Sequence, residues 1–430
     1  MYGYRQSKWR NFIKRGKIRP DTAAGFPDCA DKPKKGEKKT MRRKKILLIT
    51  PMLHQGGFER ICALTAKLLK DTYEVHIAVF TKEDLFYDVS GVDLIDLNLP
   101  SKNGKINKIV NIIKRVLRLK ALKKRLDIDI SYSFGTTANI VNVLSKANDT
   151  TWAGIRGYGA LTDSGIGLIC RRADTVVSCT KTMEADIRQK FAPKSCATLY
   201  NPCDTAAIRA LADEEGGIEP SHADFLKREG ALIVSMGRED DLKGFWHLIK
   251  SFSLIKKALP TARLMIIGDG AYKEYKELAS ALHIEKSVLF TGVRRNPFAL
   301  LKYADVYALT SQTEGFPNAL IEAMACGVPC VSVNCMTGPN EILAEDFLQY
   351  CDRGKTYEAD YGILTGILTG DKNLDADVIT KEEQIFADTL ISLLTDKARL
   401  DAYRKKAQKR AEDFGMDVYV RRITELAQQK

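Results

Sequence analysis

Two carboxylates eight residues apart, Glu314 and Glu322, stand in the segment TSQTEGFPNALIEAMACGVPCV, with Gly315-Phe316-Pro317 turning the chain between them. Glu314 follows an apolar run that reads as a strand. From Asn318 the apolar spacing becomes helical, which puts Glu322 in about the second turn. Such a pair can flank one pocket, with the helix N-terminus between them offering unpaired N–H groups to a phosphate. A carboxylate can also accept hydrogen bonds from neighbouring sugar or ribose hydroxyls. Helix-capping and surface acids are the ordinary alternative for two glutamates, and the segment by itself leaves both readings open. Upstream, Gly237-Arg238 and Lys243-Gly244 follow another apolar run. An Arg fork and a Lys point charge on one loop could clamp a diphosphate, and a solvated surface loop fits equally well. In TPMLHQGGFERI, Gly56 and Gly57 separate a strand from a helix. Glycines there let backbone approach an anion at a helix start, although a plain turn needs nothing more. The G-x-G-x-x-G pattern and the acidic residue of a dinucleotide site are missing, which argues against a nicotinamide enzyme.

These residues need elements to position them. Apolar runs at 45–50, 75–80, 129–134, 151–156 and 175–180 read as buried strands, and Phe58, Ile61, Cys62, Thr65, Leu68 and Leu69 share one helical face. A polar, Gly-containing stretch at 213–224 interrupts the pattern. It resumes with strands at 231–237, 263–270, 288–292, 305–311 and 328–333, separated by helical segments near 245–258, 272–282 and 318–326. Strand–helix alternation predicts parallel sheets covered by helices, and two such series predict an α/β chain of two doubly wound, Rossmann-like domains facing across a cleft. Ligands of such sheets sit at the carboxyl ends of the strands. The expected division is a disordered basic leader at 1–40, a first domain at 41–215, a linker at 216–228, a second domain at 229–405, and C-terminal helices at 406–430 packing back on the first domain. Met41, just ahead of MRRKKILLITP, is an alternative start.

The chain has 430 residues, 45% hydrophobic and 28% charged, and a formal net charge of +13. That balance excludes wholesale disorder, and no apolar stretch approaches the roughly 20 residues of a spanning helix. The basic N-terminus lacks the apolar centre of a secretory signal, so the protein is expected to stay on the side of the membrane where it is made. Ten scattered cysteines, without C-x-x-C pairs or clustered histidines, argue for reduced thiols and against a metal site. The positive charge is concentrated early: residues 1–40 carry 12 Lys and Arg against 4 Asp and Glu, and residues 41–215 carry 27 against 19. Residues 216–430 carry 28 against 31. An anionic surface facing the first half is the implied partner. Within that half, residues 101–126 hold ten Lys and Arg and no acid, with Ile109, Ile112, Ile113, Val116, Leu119 and Leu126 among them. This predicts a basic amphipathic helix suited to anionic lipid; a core-packed helix with a charged outer face is the competing reading. No nucleic-acid motif or interleaved aromatics accompany it, so nucleic acid is not an expected partner.

Taken in order, GGFER (56–60), LYNPCD (199–204), GREDDLKGFWHLIKSF (237–252), IIGDG (266–270), FTG (290–292), ADVYALTS (304–311), EGFPNALIEAMACGVP (314–329) and CMTGPNEIL (335–343) resemble glycosyltransferase family 4. These are retaining nucleotide-sugar transferases of the GT-B fold, many acting in cell-surface polysaccharide synthesis. The resemblance runs from about residue 45 to at least 366 and is densest over 230–345.

The resemblance implies that Arg238 and Lys243 neutralise the donor diphosphate, including the charge that develops on the leaving nucleotide. It implies that Glu322 holds the ribose hydroxyls, that Glu314 contacts the donor sugar, and that Phe316, Pro317, Asn318 and Ala319 line the donor. Backbone N–H groups of that stretch would serve sugar or phosphate. Gly56 and Gly57 would let the first domain close on the diphosphate. Neither a metal nor another cofactor is implied; UDP-sugar is the expected donor from family frequency. A glycan or lipid-linked acceptor at the cytoplasmic membrane face is expected, with Arg156 as an acceptor contact. The family's frequent His at the end of the fourth strand is absent from SYSFGTT (131–137), which a front-face mechanism tolerates. A catalytically silent sugar-nucleotide-binding protein and a nucleotide-sugar epimerase on the same fold remain as alternatives.

Overall fold

The computed structural model describes residues 42–429, apart from 102, 215–217, 228 and 369. The expected basic leader lies outside the described residues. Residues 44–430 form one compact unit that contains two seven-stranded sheets.

The first sheet comprises β1 (Lys45–Thr50), β2 (Glu74–Val79), β3 (Asp93–Asp96), β4 (Ile130–Phe134), β5 (Thr150–Ile155), β6 (Thr175–Ser178) and β7 (Cys196–Thr198), in the order β3-β2-β1-β4-β5-β6-β7. Every pair in it is parallel. The second comprises β8 (Leu232–Met236), β9 (Arg263–Ile267), β10 (Val288–Phe290), β11 (Val306–Leu309), β12 (Cys330–Val333), β13 (Tyr357–Ala359) and β14 (Gly362–Thr365). Its order is β10-β9-β8-β11-β12-β14-β13, parallel except for the β13–β14 pair. Strand order reverses between β1 and β4 and between β8 and β11. At such a reversal the flanking connections leave in opposite directions and open a crevice at the carboxyl ends. Gly56 and Gly57 follow β1, Arg238 and Lys243 follow β8, and Glu314 follows β11.

Seven helices matter to the site: α1 (Gly57–Leu69), α2 (Lys105–Leu126), α3 (Lys181–Phe191), α4 (Phe245–Ala258), α5 (Asn318–Ala325), α6 (Lys397–Glu412) and α7 (Met416–Gln428). Ile61, Cys62, Ala66 and Leu69 of α1 fill one face of the first sheet together with Tyr419, Ile423 and Leu426 of α7. The Thr65 and Tyr419 hydroxyls meet at 2.7 Å, which ties the chain's last helix to the first domain. A further core is continuous from Val143 and Ile155 of the first domain to Phe316, Leu320 and Phe414, so the two domains share buried apolar surface.

Helix α2 carries apolar residues on two sides. Leu119 and Leu122 are buried against the first sheet, with Ile112, Val116 and Leu126 packed beside them. Ile106, Ile109, Val110, Ile113 and Leu117 point outward, with Ile106 at 78% and Leu117 at 63% exposure. The basic residues divide likewise. Arg115 is buried over the Phe80 ring at 4.1 Å and donates to the Leu99 carbonyl. Lys123 is buried in an ion pair with Asp149 at 3.0 Å. Among the described residues, no helix is long and apolar enough to cross a membrane.

Candidate active site

The second-domain wall of the crevice is held by its own backbone. Gly268, at the end of β9, has a φ of +156°, and a Cβ there would run into the Gly237 carbonyl, so the ends of β8 and β9 meet only because residue 268 is glycine. The loop after β8 is tied to the end of β11: the Gln312 amide donates to the Leu242 carbonyl at 2.8 Å, and the Thr310 hydroxyl to the Lys243 carbonyl at 3.1 Å. Glu314 is fixed at both backbone groups by Met336 and Thr337, at 2.8 and 2.9 Å. Its Oε1 accepts from Lys243 Nζ at 2.7 Å and from the Ser311 hydroxyl at 2.7 Å. Lys243 and Glu314, distant in sequence, therefore form one unit. Arg238 projects from the same loop, 67% exposed and 3.3 Å from the Asp240 carboxylate. It is available to an anion entering the crevice.

The Glu314–Glu322 segment of the second domain packs against the first. A Cβ at Gly315 would collide with the Arg156 carbonyl, so this glycine permits a close approach of the two backbones. Phe316 is buried, stacked on Tyr200 at 5.0 Å between centroids and edge-on to Phe414 at 5.4 Å. Pro317 occupies the N-cap of α5, whose opening turn contains Asn318 and Ala319. Asn318 Oδ1 accepts from Asn201 Nδ2 at 2.9 Å. Glu322, on the next turn, accepts a hydrogen bond from Arg60 of α1, and the attraction of this carboxylate raises the Arg60 pKa.

Across the crevice, Gly56 caps α1 and its carbonyl accepts from the Tyr87 hydroxyl at 2.9 Å. A Cβ on Gly56 would collide with the Glu59 carboxylate, whereas Gly57 faces open space. Glu59 is buried, and its Oε2 has no hydrogen-bond partner among the described residues. Burial pushes its pKa above the usual carboxylate value, opposed by a backbone N–H and by the charges of His54 and Arg238.

Arg156, expected as an acceptor contact, is engaged within the first domain in this structure. It follows β5 and donates to the Leu199 carbonyl at 3.1 Å, to Asn201 Oδ1 at 3.0 Å and to the Tyr132 hydroxyl. These bonds turn its guanidinium inward and brace the stretch that reaches Asn318. Sequence reasoning gave no role to Arg60, Ser311, Asn201 or Glu341. Glu341 accepts from the Lys181 and Thr182 amides at the start of α3, at 2.7 and 2.8 Å, and from the Thr182 and Tyr200 hydroxyls at 2.6 and 2.8 Å. It thus locks the second domain onto a helix N-terminus of the first. Arg60 alone carried a local signal, being charged in the first helical turn after a glycine pair.

Residues 218–359 match the model of the family described as glycosyl transferases group 1. An uncharacterized glycosyltransferase of Methanocaldococcus jannaschii is 26% identical over 83% of this chain and 92% of its own length. The Campylobacter jejuni N-acetylgalactosamine-N,N'-diacetylbacillosaminyl-diphospho-undecaprenol 4-alpha-N-acetylgalactosaminyltransferase is 26% identical over 84% of this chain and 93% of its own. Among solved structures, Anabaena HepE in complex with UDP superposes with a TM-score of 0.67 at 19% identity, covering 89% of this chain and 99% of that one. The fold is GT-B, and together the matches support a glycosyltransferase.

Proposed function

We propose that this chain is a retaining transferase of glycosyltransferase family 4. It would move a sugar from a nucleotide-diphosphate donor, UDP-linked, to a glycan or lipid-linked acceptor in cell-surface polysaccharide synthesis. The observation that carries this reading is the Lys243–Glu314–Ser311 unit at the carboxyl ends of β8 and β11. Arg238 and Lys243 neutralise the diphosphate as the bond from sugar C1 to phosphate oxygen breaks, with the start of α5 contributing N–H groups. Positive charge placed there does the work a bound cation would do. The acceptor oxygen bonds to C1 on the face the nucleotide leaves, and its proton passes to the departing phosphate oxygen. Glu314 contacts the sugar and, paired with Lys243, keeps that cation in place. Glu322 takes the ribose hydroxyls.

Two observations support a lipid-linked acceptor. The Campylobacter relative's name places its own acceptor on diphospho-undecaprenol. Helix α2 presents an exposed apolar stripe, Ile106–Ile109–Val110–Ile113–Leu117, beside the exposed Lys105, Lys108, Lys114 and Lys120. Apolar side chains bordered by ammonium groups suit the headgroup region of an anionic bilayer, so the chain is proposed to work peripherally at the cytoplasmic membrane face.

The test is Glu314→Ala. Turnover should collapse while nucleotide binding largely survives; unchanged turnover would remove Glu314 from the mechanism.

A further inference from the structure

Arg60 comes from the first domain and Glu322 from the second, yet their side chains form one ion pair. Glu322 is 9% exposed, and among the described residues its carboxylate accepts a hydrogen bond from Arg60 of the opposite domain. Ile61, Pro202, Cys203, Asn318 and Ile321 line the small cavity around the pair. The Arg60 side chain is 40% exposed, so water reaches its guanidinium while the carboxylate it meets is nearly buried. The Arg60 backbone is fixed in the first turn of α1, where its amide donates to the Gly56 carbonyl at 3.1 Å. The loop proposed to meet the diphosphate and the cation that holds Glu322 are therefore one short stretch of chain.

We propose that Arg60 is a positioning residue for the donor ribose: it anchors one oxygen of Glu322 and presents the remaining carboxylate lone pairs to the ribose hydroxyls. A carboxylate has about four acceptor positions, so a hydrogen bond from Arg60 leaves room for a hydroxyl donor. Without the guanidinium, a nearly buried carboxylate loses the charged partner that sets its direction. The ribose half of the donor site is thus completed from the opposite domain. This rests on the reading of Glu322 as the ribose ligand, and its test separates the two.

Dissociation constants for UDP and 2′-deoxy-UDP, measured by calorimetry on the full chain, give a ribose discrimination ratio. The wild type is expected to favour UDP by roughly 10–100-fold, the worth of a hydrogen bond to a charged group. Glu322→Gln should bring the ratio close to one. Arg60→Ala should do nearly the same, and Arg60→Lys, which keeps the charge without the planar fork, should fall between. Adding Arg60→Ala to Glu322→Gln should lower it no further. A residue that only braces the fold would lower the melting temperature and leave the ratio unchanged. If both Arg60 variants keep the wild-type ratio while Glu322→Gln loses it, the proposal is overturned and the ribose reading stands. If the wild type shows no preference, or Glu322→Gln retains it, the ribose reading fails and takes the proposal with it.

Discussion

Glu314 and Glu322 lie on one continuous stretch of loop and helix, yet they are held in opposite ways. Glu314 is paired inside its own domain by Lys243 and Ser311, on loops pinned to the ends of β8 and β11. Glu322 depends on Arg60 from the far side of the crevice. In the proposed mechanism, the sugar-facing end of the donor site is preorganised before the domains meet, and the ribose end is finished by their meeting. A binding event that draws the domains together would then be felt first at the ribose, while the reacting end would already be in place.

The largest expected effect is at the preorganised end. Lys243→Met removes one of the two cations proposed to meet the diphosphate and leaves Glu314 without its ammonium partner, so turnover should fall roughly 10²–10³-fold. Because the two side chains act as one unit, Lys243→Met combined with Glu314→Ala should cost little more than either alone. Additive losses would show that the 2.7 Å contact has no functional consequence.

The next effect concerns the contacts that bring the domains together. Glu341→Ala strips two backbone N–H groups at the start of α3 and two hydroxyls of their acceptor. Denaturant unfolding should show a loss of about 1–3 kcal/mol. If closure serves the ribose end in particular, this variant should also weaken UDP binding more than it lowers turnover of bound donor.

A smaller effect is expected at the outer face of α2. Ile109→Ser with Ile113→Ser should cut co-sedimentation with phosphatidylglycerol vesicles while leaving the melting temperature unchanged, since neither residue is buried. Arg115 and Lys123 are unsuitable for this test because their substitution would disturb the core. The smallest effect is at Glu59. Its folded-state pKa is raised, chiefly by burial, so the folded chain retains a proton that the unfolded chain has already released. Stability from this group therefore declines as pH rises from the ordinary carboxylate value through the raised one. Glu59→Gln should raise the melting temperature at pH 7 and leave it nearly unchanged below about pH 4. A gain at both pH values would point to something other than the charge.

The two-sheet architecture was legible because most strands are buried runs separated by helical spacing. Strands β3, β7, β13 and β14 were not read. Asp93–Asp96 lies on an edge and is mostly half-exposed or exposed, and Cys196–Thr198 spans only three residues, so neither shows the apolar run of a central strand. The loops that display Gly56, Gly57, Arg238, Lys243 and Glu314 are legible because each follows a buried apolar strand. The partners of those residues could not. Nothing local to GGFER says that Arg60 will meet a carboxylate 262 positions later, and nothing local to TWAGIR says that Arg156 will be committed to Tyr132, Leu199 and Asn201. Helix α2 was legible as basic and amphipathic. Its apolar residues occupy two faces, and only the packing of Leu119 and Leu122 reveals which one is left outside.

The most direct measurement is a thermal-shift and donor-hydrolysis screen of the full chain against UDP-, GDP-, ADP- and CMP-sugars. Selective stabilisation by one nucleotide sugar, with slow release of its nucleotide that depends on Glu314 and Lys243, is the expected result. No stabilisation and no release with any of them would contradict a sugar-transferring site in this crevice.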